Sequence, residues 1–370
     1  MVADSELQRI ARLTPLADVL ASFDISVGPV TPRAEDLRRA LGRTLAADAV
    51  APEARPQQPV ALRDGFAVRA DLTTDASSYA PAPLSPAPRR VNVGDALPVD
   101  ADAVATLDAV TERGGLFSVL APVAPGEGVL PAQADATPDT PLRLAGARLR
   151  RIDVTVLAAI GVKQVTIREP RVRVVRAGAG EPVDAAIALI AGAVEAEGGV
   201  AIIDDLTLDA ALAREDADAV FAVGGTGGGR NDTSVHSLAK LGRVAFHGIG
   251  ITPGETTAMG FVGARPVLLL PGRVDAALAG WLTVGRRVLA KLCFRLIEEQ
   301  PFTAELSRKI ASPLGLAEVV PVRRRLATVE SLATGYLPLQ ALARADGWIL
   351  VPADSEGHPV GTKVMVRPWP

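Results

Sequence analysis

The sequence predicts a multi-domain α/β plus β architecture: a central α/β domain with a mostly parallel sheet, a β-rich inserted domain before it and a small β domain after it. Three observations carry that expectation. The chain has 370 residues, enough for roughly two to four domains. From Arg171 onward short apolar runs alternate with helical patterns, as strand–helix repeats around a parallel sheet do. Between residues 52 and 145, proline clusters such as Pro81-Ala82-Pro83 and Pro86-Ala87-Pro88 separate brief β-prone pieces. Because those apolar pieces recur, the stretch is a domain and not a linker.

Taken in order, the first fifty residues read as helical. Apolar residues from Pro15 to Phe23 fall at helical spacing. Thr31-Pro32-Arg33 with Glu35 has the form of a helix start, and Leu37, Leu41 and Leu45, four apart, predict a second helix. Val91–Val93 and Phe117–Leu120 are the β-prone pieces of the proline-rich stretch. A helical pattern returns over 149–163 around Val154, Leu157 and Ile160 and stops at Gly161. Strands are then expected at Arg171–Arg176, Val200–Ile203, Ala219–Val223, Val244–Phe246 and Val267–Leu270. Helices alternate with them at Val183–Glu197, Leu206–Arg214, Asp232–Leu241 and Val274–Ile297. After Pro301, the runs Glu318–Arg323, Trp348–Val351 and Lys363–Val366 predict the last β domain.

Composition narrows the function. With 48% hydrophobic and 22% charged residues the chain has ample material for a core, which excludes global disorder. A net charge of −3, from 39 basic and 42 acidic residues, argues against nucleic-acid binding. Only five basic residues are lysine (Lys163, Lys240, Lys291, Lys309 and Lys363), so lysine nucleophiles are few and planar arginine forks plentiful. The single Cys293 excludes an intrachain disulfide framework and reads as core. His236, His247 and His358 are too scattered for a zinc-hydrolase spacing, and the first two read as structural. The acidic amino terminus lacks a secretory pattern, and the apolar run before Arg286-Arg287 is about half a membrane span. A soluble, cytoplasmic protein without a membrane partner is the expectation.

The chemistry is expected at three glycine-rich turns, each directly after a strand of the α/β domain. They are Ala177-Gly178-Ala179-Gly180-Glu181, the run from Gly224, Gly225, Thr226, Gly227, Gly228 and Gly229 through Arg230 and Asn231 to Asp232, and Pro271-Gly272-Arg273-Val274-Asp275. In an open parallel sheet, ligands bind outside the carboxyl ends of the strands. Glycines let backbone N–H groups approach an anion, and a following helix adds positive partial charge. The first loop alone needs no more than a tight turn to explain it; the run Gly224–Gly229 points to a phosphate-bearing ligand. No Gly-Lys-Ser/Thr follows, so it is not a Walker loop. Asp232 has two readings of equal weight. One is a helix N-cap; the other is a carboxylate that holds a hydrated Mg²⁺ bound mainly by phosphate oxygens. Arg230 and Arg273 read either as solvated loop charges or as phosphate forks. Asp64-Gly65 reads as a β-turn.

The order of these motifs resembles the molybdopterin molybdenumtransferases, the MoeA and gephyrin E-domain family, over nearly the whole chain. Ala40-Leu41-Gly42-Arg43-Thr44-Leu45-Ala46 with Ala51-Pro52 is similar to the family's opening segment, and Asp64-Gly65-Phe66-Ala67-Val68 to its DGYAV motif. Val93-Gly94-Asp95-Ala96-Leu97-Pro98 with Asp102-Ala103-Val104 resembles its β-domain segment. Gly224-Gly225-Thr226 through Asp232, Pro253-Gly254, and Leu270-Pro271-Gly272 resemble its three α/β motifs.

The resemblance implies four regions: a discontinuous helical domain (1–50 and 146–170), a β-rich inserted domain (51–145), an α/β molybdopterin-binding domain (171–300) and a C-terminal β-barrel-like domain (301–370). It implies a homodimer whose cleft is shared between one subunit's α/β domain and the partner's insertion. The implied reaction inserts molybdate into adenylylated molybdopterin with release of AMP, assisted by Mg²⁺. Asp64, Asp232 and Glu181 would be the catalytic acids, the last two at the metal. Gly224–Gly229, Arg230, Pro253, Gly254, Pro271, Gly272 and Arg273 would bind the ligand.

Departures fall in the motifs. Ala179-Gly180-Glu181-Pro182 lacks one of two adjacent acids, Gly227 replaces a serine, and Thr252 and Glu255 stand where the family has lysines. Arg63 replaces an apolar residue, and no counterpart of one family stretch occurs around Gly126–Asp135. An alternative follows: a catalytically degenerate paralogue that binds molybdopterin, finished cofactor, or a molybdoenzyme or biosynthetic partner without turnover.

Overall fold

Six strands form the central sheet of this computed structural model, which describes residues 8–138, 140–295 and 301–370. Their order is Val200–Ile203, Arg171–Arg176, Ala219–Val223, Arg265–Leu270, Ala258–Val262 and Arg243–His247. The first four pair in parallel, and the last two join antiparallel. Ala219–Val223 is buried at every residue, as a strand covered on both faces must be. The helices are α1 (Leu16–Ser26), α2 (Arg151–Ala159), α3 (Glu181–Ala196), α4 (Leu208–Ala213), α5 (Ser234–Leu241), α6 (Val274–Gly280), α7 (Arg286–Cys293) and α8 (Leu339–Arg344). Phe23, Ile190, Leu278 and Leu289 from α1, α3, α6 and α7 pack on one sheet face. Leu212 and Leu238 from α4 and α5 cover the other. The expected mostly parallel sheet with helices on both faces is therefore the observed one.

α6 and α7 are one continuous rod joined by a π-helical segment, Trp281–Gly285. Trp281 is 1% exposed and meets Phe221 edge-on, with ring centroids 6.2 Å apart. A Cβ at Gly280 would sit 2.7 Å from Leu270 Cδ2, and one at Gly285 2.6 Å from the Trp281 ring. Gly285 thus makes room for the indole, while Gly280 lets the rod approach Leu270 of the sheet. The rod ends sooner than the periodicity predicts. Phe294 takes the left-handed conformation (φ 54°) and Arg295 is outside the helix, while Leu296 and Ile297 lie outside the described residues.

One other helical expectation is overturned. Residues 33–45 form a strand (Arg33–Asp36), a turn and a second strand (Thr44–Leu45), both paired with Gln164–Arg168. Leu37 and Leu45 are buried while Leu41 is 41% exposed, so the three leucines do not share one face, and Gly42 at φ 78° breaks any helix between them. This small sheet and α2 share a core of Leu37, Leu45, Leu149, Leu157 and Ile167. α1 does not belong to that core. Leu16, Val19 and Phe23 are buried in the α/β core instead, because the helix lies against α7.

The proline-rich insertion carries its own small apolar cores. In it, Gly65–Val68 pairs antiparallel with Arg89–Val91 and Ala103–Thr106. In the last domain, Ala317–Arg325, Thr328–Ser331, Phe302–Leu306, Lys363–Pro368 and Gly347–Val351 close into a five-stranded barrel, since the first also pairs with the last. A strand absent from the sequence expectation, Ile249–Thr252, adds in parallel to Ala317–Arg325 and ties the barrel to the α/β domain. Among the described residues no helix is long and apolar enough to cross a membrane.

Four charged side chains are buried among the described residues, Asp153, Arg173, Asp275 and Glu318. Arg173, 2% exposed in the middle of the sheet, bonds Asp204 at 3.0 Å and grips Asp216 with two nitrogens at 2.6 and 3.1 Å. Those bonds, with Arg214 beside them, hold the Asp216 carboxyl far below its ordinary 3.8. A carboxyl depressed in the folded state stabilises above its unfolded pKa and loses that effect as pH falls through the folded value. Asp216→Asn is expected to lower the thermal midpoint at neutral pH. The gap to the parent should close only in acid below the ordinary 3.8, as the parent's Asp216 protonates, which circular-dichroism melts at several pH values would follow. Trp281→Ala is expected to cost about 3–5 kcal/mol in urea unfolding, because the packed core around a fully buried indole collapses only partly around the void.

Candidate functional site

All three glycine loops leave the carboxyl ends of adjacent parallel strands, Arg171–Arg176, Ala219–Val223 and Arg265–Leu270, and they meet. The sheet ladder continues into them: Ala177 N–H donates to Val223 C=O at 2.9 Å, and Gly224 N–H to Leu270 C=O at 2.8 Å. Gly224 and Gly225 have φ of 102° and 67°. A Cβ on Gly224 would stand 2.6 Å from Gly178 N and 2.7 Å from Gly178 Cα, so the first two loops touch backbone to backbone. The result is an open cleft of about 440 Å³ lined by Gly178, Gly224–Gly227, Asp232, Gly254–Thr256 and Pro271–Arg273.

The fourth wall, Gly254–Thr256, follows the strand that joins the barrel. It is fastened to the glycine run by the hydroxyls of Thr226 and Thr256, 2.8 Å apart. Behind them His247 Nε2 lies 3.1 Å from Thr226 C=O, a structural use of that histidine.

Asp232 is not the cap of α5. Its Oδ2 accepts the Gly229 N–H at 2.9 Å, which folds the carboxylate back into its own loop. A Cβ on Gly227 would lie 2.8 Å from the same oxygen, so the carboxylate occupies the space that a serine at this position would need. α5 is capped instead by Gln8, whose Oε1 accepts from Val235 N–H at 2.6 Å and His236 N–H at 3.2 Å. The Gln8 amide nitrogen donates to Gly225 C=O (2.8 Å) and Gly227 C=O (2.9 Å). One side chain from the start of the chain thus sets both helix and loop. No local pattern marks it, because its partners lie more than 200 residues away.

Arg273 lines the cleft, yet its Nε and one Nη bind the buried Asp275 at 3.0 and 2.6 Å, and its plane lies over Tyr336. That bidentate bond raises the Arg273 pKa further. Glu255 also lines the cleft, and its carboxylate accepts the Gly254 N–H at 3.1 Å. Asp232, Glu255 and the Arg273–Asp275 pair leave the cleft without an excess of positive charge.

Several expected residues stand elsewhere. Glu181 is exposed at the start of α3, outside the lining, although Pro182 and Val183 are in it. Gly228, Gly229 and Arg230 are on the outer arm of their loop, and Pro253 lies behind Gly254. Asp64 is in the inserted domain, where its Oδ1 accepts the Val93 N–H at 2.8 Å. The glycine after it is a strand residue and not a turn glycine: a Cβ there would be 2.0 Å from Ala105 C=O. Arg63 is structural, bonded to Val104 C=O and Glu127.

Comparison with known proteins agrees with this geometry in order and extent. The MoeA N-terminal region (domain I and II) matches residues 6–161, a domain described as "Probable molybdopterin binding domain" matches 179–291, and the MoeA C-terminal region (domain IV) matches 303–369. A protein of Methanocaldococcus jannaschii named for molybdopterin biosynthesis is 26% identical over 90% of both chains. Molybdopterin molybdenumtransferase 2 of Mycobacterium tuberculosis is 24% identical over 89% of this chain and 93% of its own. Two crystal structures of the molybdopterin biosynthesis MoeA protein of Pyrococcus horikoshii superpose with TM-scores of 0.77 and 0.76 at 25% and 24% identity. They cover 97% of this chain and 100% of theirs. With all three regions matched in sequence order, the chain belongs to the MoeA family of molybdenum cofactor biosynthesis proteins.

Proposed function

We propose that the chain binds adenylylated molybdopterin in the cleft of the α/β domain and inserts molybdate into it with release of AMP. The observation that carries this reading is the convergence of three glycine loops, with Thr226 and Thr256, on one cleft above three parallel strands. Backbone N–H groups at this sheet edge suit phosphate oxygens, and Asp232 is the carboxylate held among them. Cleavage of a phosphoanhydride needs its developing charge neutralised by groups already in place. Rigid loop amides meet that need, and Arg273 contributes its remaining Nη edge while Asp275 fixes the other two nitrogens.

Among the described residues no three His, Cys, Asp or Glu side chains converge on a metal position. The donor set fits Mg²⁺ only as an ion carried largely by substrate phosphates and water, with Asp232 as its protein carboxylate and Glu255 beside it. When bound, the ion would offset phosphate charge. Asp64 lies outside this chain's own cleft, so a catalytic part for it belongs to a homodimer, in which the partner subunit's Asp64 enters the site.

One observation favours a second reading. Glu255 faces the cleft where the family has a lysine, and the local charge does not attract an anion. A paralogue that binds molybdopterin, finished cofactor or a partner protein without turnover has this character.

Release of AMP from adenylylated molybdopterin by the purified protein with molybdate and Mg²⁺ separates the two. Turnover, lowered at least about a hundredfold in Asp232→Asn with binding retained, supports the enzyme. Calorimetric binding of molybdopterin with no AMP released supports the second reading. Replacing the cleft carboxylate by a cation in Glu255→Lys is expected to tighten molybdopterin binding about tenfold, as read in the same titration.

A further inference from the structure

The loop that joins the barrel strand Thr328–Ser331 to α8 reaches the cleft, and three consecutive residues of it make three different contacts. Gly335 N–H donates to Glu318 Oε1 at 2.6 Å. Tyr336 faces Arg273, whose guanidinium carbon lies 5.1 Å from the ring centroid. Leu337 N–H donates to Asp275 Oδ2 at 3.2 Å. Glu318 and Asp275 are both buried, so the residues on either side of the tyrosine are pinned to fixed carboxylates. Glu318 is also the ladder partner of Thr252, two residues before the Gly254–Thr256 wall. One buried glutamate therefore anchors both the tyrosine's loop and the strand that leads into a wall of the cleft.

The tyrosine itself is turned outward. Gly335 has the left-handed φ of 68°, Leu337 is buried, and Tyr336 between them is 60% exposed. Arg273 covers one face of the ring, and an exposure of that size leaves the other open to solvent. Burying such a ring is favourable, yet the fold leaves it uncovered on a loop held at both sides. Tyr336 does not line the cleft; it stands beside it, on the arginine that does. Asp275 fixes two nitrogens of that arginine, so guanidinium and ring make one ordered step at the cleft mouth.

We infer that Tyr336, backed by Arg273, is a stacking shelf for the fused nitrogen heterocycle of a ligand whose phosphates lie on the glycine loops. The inference rests on the cleft being the site for adenylylated molybdopterin, and it adds the residue that selects for a ring. Flat heterocycles stack on aromatic faces and guanidinium planes with little demand on their hydrogen-bonding pattern. A loop already pinned at Gly335 and Leu337 loses little freedom when a ring settles on the residue between them. The ligand carries two such rings, the purine of its adenylyl group and the pterin, joined through the phosphates. With those phosphates on the loop amides, one ring extends past Arg273 to the shelf.

The test is calorimetric titration of the full chain, Tyr336→Ala and Tyr336→Phe with AMP, with molybdopterin and with inorganic pyrophosphate, which has no ring. Tyr336→Ala should weaken AMP or molybdopterin by at least about fivefold, and Tyr336→Phe should restore the parent affinity. A loss for AMP assigns the shelf to the purine, and a loss for molybdopterin assigns it to the pterin. Pyrophosphate affinity should be the same in all three proteins. If it falls in Tyr336→Ala as far as that of the ring-bearing ligands, the inference is overturned, because the tyrosine then only props Arg273. AMP and molybdopterin that bind the parent and Tyr336→Ala alike also overturn it, and leave the cleft as the ligand site. No binding of either up to about 10 mM would remove that site and the shelf with it.

Discussion

The contact of Gly178 with Gly224 is the constraint on which the cleft depends. Two strand-to-helix turns that carried side chains there could not come this close, since a Cβ on Gly224 would penetrate the neighbouring backbone. Contact at the sheet edge brings the first loop, the long glycine run and the third loop into one surface. The ladder bonds Ala177–Val223 and Gly224–Leu270 continue the sheet into the loops and fix their level. The cleft is an extension of the parallel sheet, and it inherits the sheet's rigidity.

The remaining walls come from distant parts of the chain. Gln8 closes the glycine run and caps α5 from the amino terminus. The Gly254–Thr256 wall follows Ile249–Thr252, a strand paired with the barrel and not with the central sheet. Asp275, at the start of α6, orients Arg273 and also accepts the Leu337 N–H from the barrel domain at 3.2 Å. The barrel therefore helps to set the cleft although it contributes no lining residue.

Charge in the cleft is already committed to the protein's own groups. The cleft holds its carboxylates on loop amides and Arg273 on a buried aspartate. Within the sheet the same residue type serves packing: Arg173 is buried because two aspartates satisfy it. Arginine in this lysine-poor chain therefore acts as a strut in the sheet and as a loop fastening at the cleft.

The sequence by itself determined the α/β domain, the placement of its glycine loops after strands and the family, because strand–helix alternation and turn chemistry are local properties. Arg171–Arg176 and Ala219–Val223 begin and end where their apolar runs do. Local pattern failed where burial was decided by partners far along the chain. Leu37, Leu41 and Leu45 have helical spacing, but pairing with Gln164–Arg168 makes strands of their flanks. α1 reads correctly as a helix, while its docking on α7 is invisible in its own residues. Asp232 illustrates the same limit in the site. Its position suits a helix cap, yet Gln8 takes that task and leaves the carboxylate to the loop. Only the tertiary structure decided which glycines touch and which arginine is already paired, because long-range packing sets both.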